Sequence, residues 1–478
     1  MKRLLLTFIL ISSFSLVFAQ TLSSLKWDKV CAGKMPAAWY GSDEAKSVAD
    51  RVIYLQKESG GWDKNLEIHT MSQSALDKAK TNPEHGKQSC FDNKATTQEM
   101  RFLAKVYHKT NVQEYKAAFN KALQLIFIAE KSRGGWSQYW PLTNDNKYQD
   151  YITFNDDLTI NVMNILRDVY GNSGDFAGIT DEVSRERCKV EFDKSVDMIL
   201  RCQFDDNGTL SAWGAQHDTV DFLPTEGRPH ELPSISGCES ASILTLLMSL
   251  ENPSDEVKHA VVSAVEWLDA HKYLDGKDVE DFKNSAGEAD VRIIDKANSA
   301  LWARFIQIGG ESGKQVYEKF FKKLKDRNTT RKDPSGKYSY KEHEMAMASY
   351  DENKAYQPIY SIYDSGQQHL YYRFLYNFND TDPVVDEKGC SIATSLNAYR
   401  RSHYDFLGNW CYKVINTDYP AWKKRVGVTT SIDDNYNDND DDNQIENTYT
   451  IDGRVAGAGA NGMLIRKGKI IFRSSRQY

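Results

Sequence analysis

The sequence predicts a mainly α fold: an incomplete (α/α)3 toroid or barrel with irregular and short β segments, plus a small C-terminal β appendage. Three observations carry that expectation. Apolar residues recur at helical spacing through the first 270 or so residues. A helical stretch followed by a glycine turn and a tryptophan occurs three times: Gly60-Gly61-Trp62, Gly134-Gly135-Trp136, and Gly208 then Trp213. These tryptophans stand 74 and 77 residues apart (62 to 136, 136 to 213). About 75 residues suits two helices and a loop, and hairpins that cannot each bury an apolar face stack side by side. A lone Gly-Gly-Trp also fits a plain helix C-cap with an aromatic plug; the recurrence is what argues for a shared architecture.

Taken in order, residues 1–19 read as a secretory signal, with Lys2 and Arg3 before an apolar run at 4–18 and Val17-Phe18-Ala19 before Gln20. The run is short for a membrane span, and no other candidate span follows. The first helices end near Lys57 and Lys131. Between the repeats, Met100, Leu103 and Tyr107 share one helix face, as do Met163, Leu166 and Val169. Further helices are expected at 189–204, 240–250 and 256–274. Beyond Gly309 the pattern loosens. Residues 314–333 are basic and expected to be exposed, and 310–368 reads as an insertion. A catalytic domain over 20–430 is expected to give way to an acidic linker at 431–447. Residues 448–478 alternate apolar and polar positions around glycines, as short strands do. Ile451-Asp452-Gly453-Arg454 and Gly462-Met463-Leu464-Ile465 resemble the C-terminal sorting tails of secreted Bacteroidetes proteins, which implies contact with a secretion machinery.

The 478 residues carry a net charge of −7, which gives no field for nucleic acid. The expectation is a secreted or cell-surface monomer without a membrane span. Seven cysteines, at 31, 90, 188, 202, 238, 390 and 411, leave at least one unpaired within the chain. Cys188 and Cys202 on one helix would lie about 21 Å apart, too far for a bond. The 26 tyrosines and 10 tryptophans suit both a sugar cleft and ordinary core packing.

The candidate chemistry lies in three places. In QHDTVDFLPTEGRPHELPSISGCES (216–240), Arg228 precedes a proline, which favours extended backbone and so places the arginine on a loop. Asp92-Asn93 and Asn155-Asp156-Asp157 each precede a helix. Asn and Asp there suit N-caps, and Thr96-x-x-Glu99 is a capping-box pattern. The same oxygens on one rim suit Ca2+, which takes hard oxygen ligands. On the residues alone, an ion pair of Arg228 with Glu226, Glu231 or substrate is the leading reading, because neutral guanidine is rare.

Several segments together resemble family 10 polysaccharide lyases, which are pectate lyases: SGGWDKN (59–65), DNKATTQEMRFLAKVY (92–107), GGWSQYWP (134–141), FNDDLTINVMNILRDV (154–169), 213–217 and RPHELPS (228–234). The resemblance spans roughly residues 37–274 and extends more loosely to about 425. It implies Ca2+-assisted β-elimination on polygalacturonate or pectin. It also implies that Asp92, Asn93, Asp156 and Asp157 form the metal site and that Arg228 is the base. Lys64, Gln138, Tyr139 and His230 would bind substrate, with Arg373 and Lys388 as a later basic pair. The chain departs from the family pattern at Thr245, where a basic residue is usual. The Trp302-Ala303-Arg304-Phe305 segment also resembles the start of the later basic region. Two other readings stay open on the residues: a glycoside hydrolase using Asp92 with Asp156 or Asp157 as acid and base, and a non-catalytic carbohydrate-binding protein.

Overall fold

The computed structural model describes residues 22–82, 88–142, 147–206, 208–228, 231–283, 289–332, 339–359 and 405–428, with short stretches at 363–364, 369–370, 374–376, 384–385, 391–393, 449–450, 462–466 and 469–473. It divides into two compact units, Met1–Pro420 and Ala421–Tyr478. The expected signal segment and the acidic linker lie outside the described residues.

The first unit is a ring of helices. After α1 (Trp27–Cys31), α2 (Asp43–Leu55) and α3 (Gln73–Thr81) come three antiparallel hairpins: α4 (Thr97–Thr110) with α5 (Gln113–Ala129), α6 (Leu158–Tyr170) with α7 (Glu182–Cys202), and α8 (Gly237–Met248) with α9 (Asp255–Ala270). Within each pair the first helix is inner. α4 touches α6 and α6 touches α8, while α2, α5, α7 and α9 form the outer layer. This is the expected α/α toroid, and its core holds the fully buried Trp27, Trp39, Trp62, Trp136, Trp213 and Trp302. Among the described residues, no helix is long and apolar enough to cross a membrane.

Short antiparallel strands stitch one repeat of this ring to the next. β1 (Ser89–Cys90) pairs with β2 (Tyr139–Trp140), setting Cys90 opposite Tyr139. β3 (Ile152–Thr153) pairs with β4 (Gln216–His217), setting Thr153 opposite Gln216. The ends of α2, α5 and α7 are each joined to the next outer helix by the side chain at the C-cap. Gln56 donates to the carbonyls of Gly60 (2.7 Å) and Ala118 (2.8 Å). Gln203 donates to those of Ser211 (2.8 Å) and Ala260 (3.0 Å). The middle repeat has Glu130 in that place. Its carboxylate is buried, accepts from Ser195 Oγ (3.1 Å) and lies 3.2 Å from Lys194 Nζ.

Three expectations change. The helix expected over 256–274 ends at Ala270. The chain then makes a long hairpin, β5 (Leu274–Lys283) with β6 (Ala289–Ala303), whose inner end pairs with β7 (Leu407–Gly408). Charged side chains pair across it, Lys277 with Asp295 and Lys296 with Asp278, both at 2.5 Å. The basic stretch expected to be exposed is instead an amphipathic helix, α10 (Gly310–Arg327), because Val316, Tyr317, Phe320 and Leu324 recur on one face and are buried. It packs on α11 (Glu342–Ser349). The capping readings hold only in part. Neither α4 nor α6 has a side-chain cap; Glu99 reaches back to the backbone of Thr96, as in a capping box, but Thr96 turns its own hydroxyl elsewhere, and Glu99 also accepts from Trp27 Nε1 (2.8 Å) and Gln98 Nε2 (3.0 Å). Six cysteines are free among the described residues, Cys188 and Cys202 included, and Cys390 lies outside them.

The second unit contains a three-stranded antiparallel sheet, β8 (Tyr449–Thr450), β9 (Gly462–Arg466) and β10 (Lys469–Arg473), in sequence order. This is the expected β appendage.

Candidate active site

The repeated tryptophan builds the site. Its indole N–H is pinned to a carbonyl of the preceding outer helix: Trp62 to Val52 (2.7 Å), Trp136 to Ile126 (2.9 Å), Trp213 to Ile199 (2.8 Å). A fourth, Trp302, is pinned to Leu268 in the same way (2.8 Å). The backbone carbonyls of the first three accept from Cys90 N (3.0 Å), Thr153 N (3.1 Å) and Ser236 N (2.7 Å). Each of those residues leads into the turn before an inner helix. Thr96 Oγ1 donates back to Cys90 O and Thr159 Oγ1 to Thr153 O, both at 2.7 Å, so the first two turns are held at both ends.

Between these ties the backbone is left-handed at Asn93 (φ 51°), Asp156 (φ 55°) and Asp157 (φ 58°). Asn and Asp tolerate that conformation better than other non-glycine residues. The turns at 92–94 and 155–157 touch, and the second also touches α8. The carboxylates are therefore presented at the rim rather than used as caps. A cleft of about 440 Å³ opens there, lined among others by Asn93, Lys94, Asp156, Asp157, Glu239 and Arg304.

Charge in this cleft is unbalanced. Burial pushes the Asp156 carboxyl up. Arg304 pulls it down, while Asp92, Glu239 and Glu231 push it further up. Burial likewise raises Asp157, against a hydrogen bond from Ser242 and with Glu239 adding to the rise. Arg304 Nη2 donates to Glu239 Oε1 (2.7 Å) and Asn155 Oδ1 (3.2 Å) and reaches Asp156 Oδ1 at 3.4 Å. On the other side, Lys64 is paired with Asp92 Oδ2 and lies 5.9 Å over the ring of Tyr139. Burial opposes the Lys64 charge, but Asp92 prevails and holds the ammonium above its usual range. Asp92 Oδ1 is buried with no hydrogen-bond partner.

Arg228 stands on its loop, about a third exposed. The Glu231 carboxylate grips it twice, accepting from the Arg228 backbone N (2.7 Å) and from Nε (3.0 Å) and Nη2. The ion-pair reading thus finds its partner in Glu231, whereas Glu226 turns away to other cations. Gly227 makes the grip possible, since a Cβ there would meet the Glu231 carboxylate and come within 2.8 Å of Gln216 Oε1. The half-buried phenol of Tyr148 links this loop to the rim. Burial raises it first, then Glu231; Arg228 and Lys64 pull it down, and Asp92 pushes it up.

Lys64, Asp92, Asn93, Tyr139, Asp156, Asp157 and Arg228 therefore share one region. Gln138 does not join them as an exposed contact. It is buried, and its backbone accepts from Phe91 N (2.9 Å). His230, Arg373 and Lys388 lie outside the described residues. Thr245, where a basic residue was expected, turns its hydroxyl onto Ala241 O (2.9 Å). Sequence reasoning missed Glu239 and Tyr148 and left Arg304 without a role. The repeat could have found two of them. Lys64 stands two residues after Trp62, and Arg304 stands two after Trp302. Glu239 follows Ser236 as Asp156 follows Thr153.

Among the described residues, no group of three or more His, Cys, Asp or Glu side chains is arranged to hold a metal ion. Oxygen donors are nevertheless there. The partnerless Asp92 oxygen, Asn93 and the raised Asp156 and Asp157 carboxyls suit a hard cation whose remaining ligands come from elsewhere.

Residues 56–319 match the family model described as pectic acid lyase. No curated protein matches the chain. Among solved structures, it is similar to a family 10 polysaccharide lyase from Cellvibrio cellulosa, with a TM-score of 0.56, 25% identity, and coverage of 84% of this chain and 95% of that one. A point mutant of that family 10 lyase in complex with trigalacturonic acid matches with the same TM-score and identity, over 84% of this chain and 96% of that one.

Proposed function

The chain belongs to the pectic acid lyase family and is a polysaccharide lyase, and from that premise we propose that it cleaves polygalacturonate by Ca2+-assisted β-elimination with Arg228 as the base. Asp92, Asn93, Asp156 and Asp157 would hold the cation. When bound, Ca2+ would neutralise the substrate carboxylate and make the neighbouring C5 proton more acidic. Lys64 and Arg304 offer fixed positive charge to further uronate carboxylates, and Tyr139 offers a ring face. His230, Arg373 and Lys388 keep the substrate-binding roles that the resemblance implies.

Arg228 would take the proton from C5. The C5–H electrons form the C4–C5 double bond as the C4–O bond breaks, and the departing oxygen is protonated by water. The Glu231 carboxylate favours the charged guanidinium and so works against this step. High pH works for it. We further propose a monomer exported to the medium or cell surface, with the tail engaging the secretion machinery; the signal-like residues 1–19 and the sorting-like sequence of the tail support the export.

The observation that carries this reading is the buried, partnerless Asp92 oxygen set at one rim with Asp156 and Asp157, electrostatically linked to the Arg228 loop. The test is polygalacturonate with Ca2+ at alkaline pH. Unsaturated, ultraviolet-absorbing uronides are expected, no product after chelation, and a drop of about 10²–10⁴ in kcat for Arg228→Ala. Saturated products would support hydrolysis instead, and an Arg228→Ala enzyme at full rate would remove the arginine from the chemistry.

A further inference from the structure

Helix α10 straddles the end of the family match at residue 319. Its buried stripe faces the body of the protein. Lys319, Lys323 and Arg327, spaced four residues apart, form a second stripe that meets the Arg228 loop. Lys319 Nζ pairs with Asp218 (3.0 Å) and Asp221 (2.6 Å). Lys323 Nζ and Arg327 Nη2 both reach Glu226 Oε1, at 2.9 and 2.8 Å. Glu226 is 1% exposed, and Thr225 Oγ1 donates to its other oxygen (2.7 Å). Lys323 also lies 4.2 Å over the ring of Tyr151. From the buried stripe, Tyr317 donates its hydroxyl proton to Pro233 O (3.1 Å) and accepts from Ile308 N (2.9 Å).

One helix thus holds the loop ahead of Arg228, two residues before it and five residues after it. Glu226 is a buried carboxylate held by the Arg327 guanidinium and by Lys323, whose ammonium burial, and then Arg327, push down to about 7, so Arg327 supplies the firm charge and its loss is costly. This pairing therefore fixes the backbone that enters Gly227 and the Glu231 grip. We propose that α10 is a clamp for the Arg228 loop, with Lys323 and Arg327 as positioning residues that act on Arg228 through Glu226. The proposal rests on Arg228 being the base. Lys323 and Arg327 lie beyond the residues matched by the family model.

Because remote misplacement by about 1 Å can cost roughly 10²-fold in rate, Arg327→Ala is expected to lower kcat about 10- to 100-fold. KM for polygalacturonate and the Ca2+ dependence should stay within about twofold, and Arg327→Lys should recover most of the rate. Hydrogen exchange of the 218–228 segment should quicken in Arg327→Ala while α4 and α6 keep their protection. Glu226→Gln combined with Arg327→Ala should be no slower than the worse single variant, as expected of coupled residues. Should Arg327→Ala not fold, Lys319→Ala reads the same loop through a more exposed contact, with a smaller loss of kcat in the same direction. Unchanged exchange at 218–228, or a rate loss explained wholly by global unfolding, would overturn the clamp. Full activity in Arg228→Ala would instead overturn the base reading, and the exchange measurement would still decide the clamp.

Discussion

At Asp92 the two carboxylate oxygens have different surroundings. One oxygen meets Lys64 and the other is buried without a partner. A buried polar atom left unmatched costs about 1–3 kcal/mol, and a cation would offset that cost. Asp92→Asn should therefore raise the Ca2+ concentration needed for half-maximal turnover by about 10- to 100-fold, and calorimetric titration with Ca2+ should show the same weakening; an unchanged Ca2+ affinity would exclude Asp92 from the site. Gly227 is decided by space. Gly227→Ala would push the Glu231 carboxylate off Arg228. Although the grip favours the charged guanidinium, it also fixes where the guanidinium stands, and loss of that position is expected to dominate, lowering turnover about 10²-fold; equal turnover in this variant would show that the grip is dispensable.

At the scale of the elements, the tryptophans explain why so much of the ring could be read in advance. A helix, a glycine turn and a tryptophan are local features, and each indole bonds to a carbonyl ten to fourteen residues back. The fourth tryptophan reaches back 34 residues across the β5–β6 hairpin, with no glycine pair before it, so neither it nor Arg304 two residues later stood out. The acidic turns were ambiguous for a different reason. Asn and Asp suit both an N-cap and a left-handed turn, because the same short polar side chain serves either. Only the ties from Thr96 and Thr159 decide between them. Trp136→Phe keeps the ring but loses the bond to Ile126 and leaves a cavity. It should lower stability by about 2–4 kcal/mol in denaturant melts, with Trp62→Phe similar; a loss under about 0.5 kcal/mol would mean that the pin contributes little.

On the scale of the whole molecule, three hairpins converge their inner-helix starts at one end, and the site is assembled from all three plus the segment after Trp302. The toroid was legible because it repeats. The α10 clamp was not, because a basic amphipathic helix reads as a solvated one until the acidic loop opposite it is known. The matched residues contain the acidic rim and Arg228, while Lys323 and Arg327, which hold Glu226 ahead of Arg228, lie past them.

The toroid also has one joint unlike its counterparts. Where Gln56 and Gln203 hold neighbouring carbonyls by a neutral amide, Glu130 offers a carboxyl that burial, and then Glu191, push up to about 8, with Lys194 pulling the other way. A carboxyl raised in the folded protein binds its proton more tightly there than in the unfolded chain, so its contribution to stability is complete below about 4.5 and is lost as pH rises through about 8. An arginine base asks for the opposite conditions. The enzyme would thus do its chemistry at the pH where its middle seam is electrically under tension. Glu130→Gln should melt higher than the natural protein at pH 9, by a margin that closes near pH 5; a margin independent of pH would mean that the seam does not respond to protons. The ring would then be a structure whose working range and resting range are set apart by a single titrating seam.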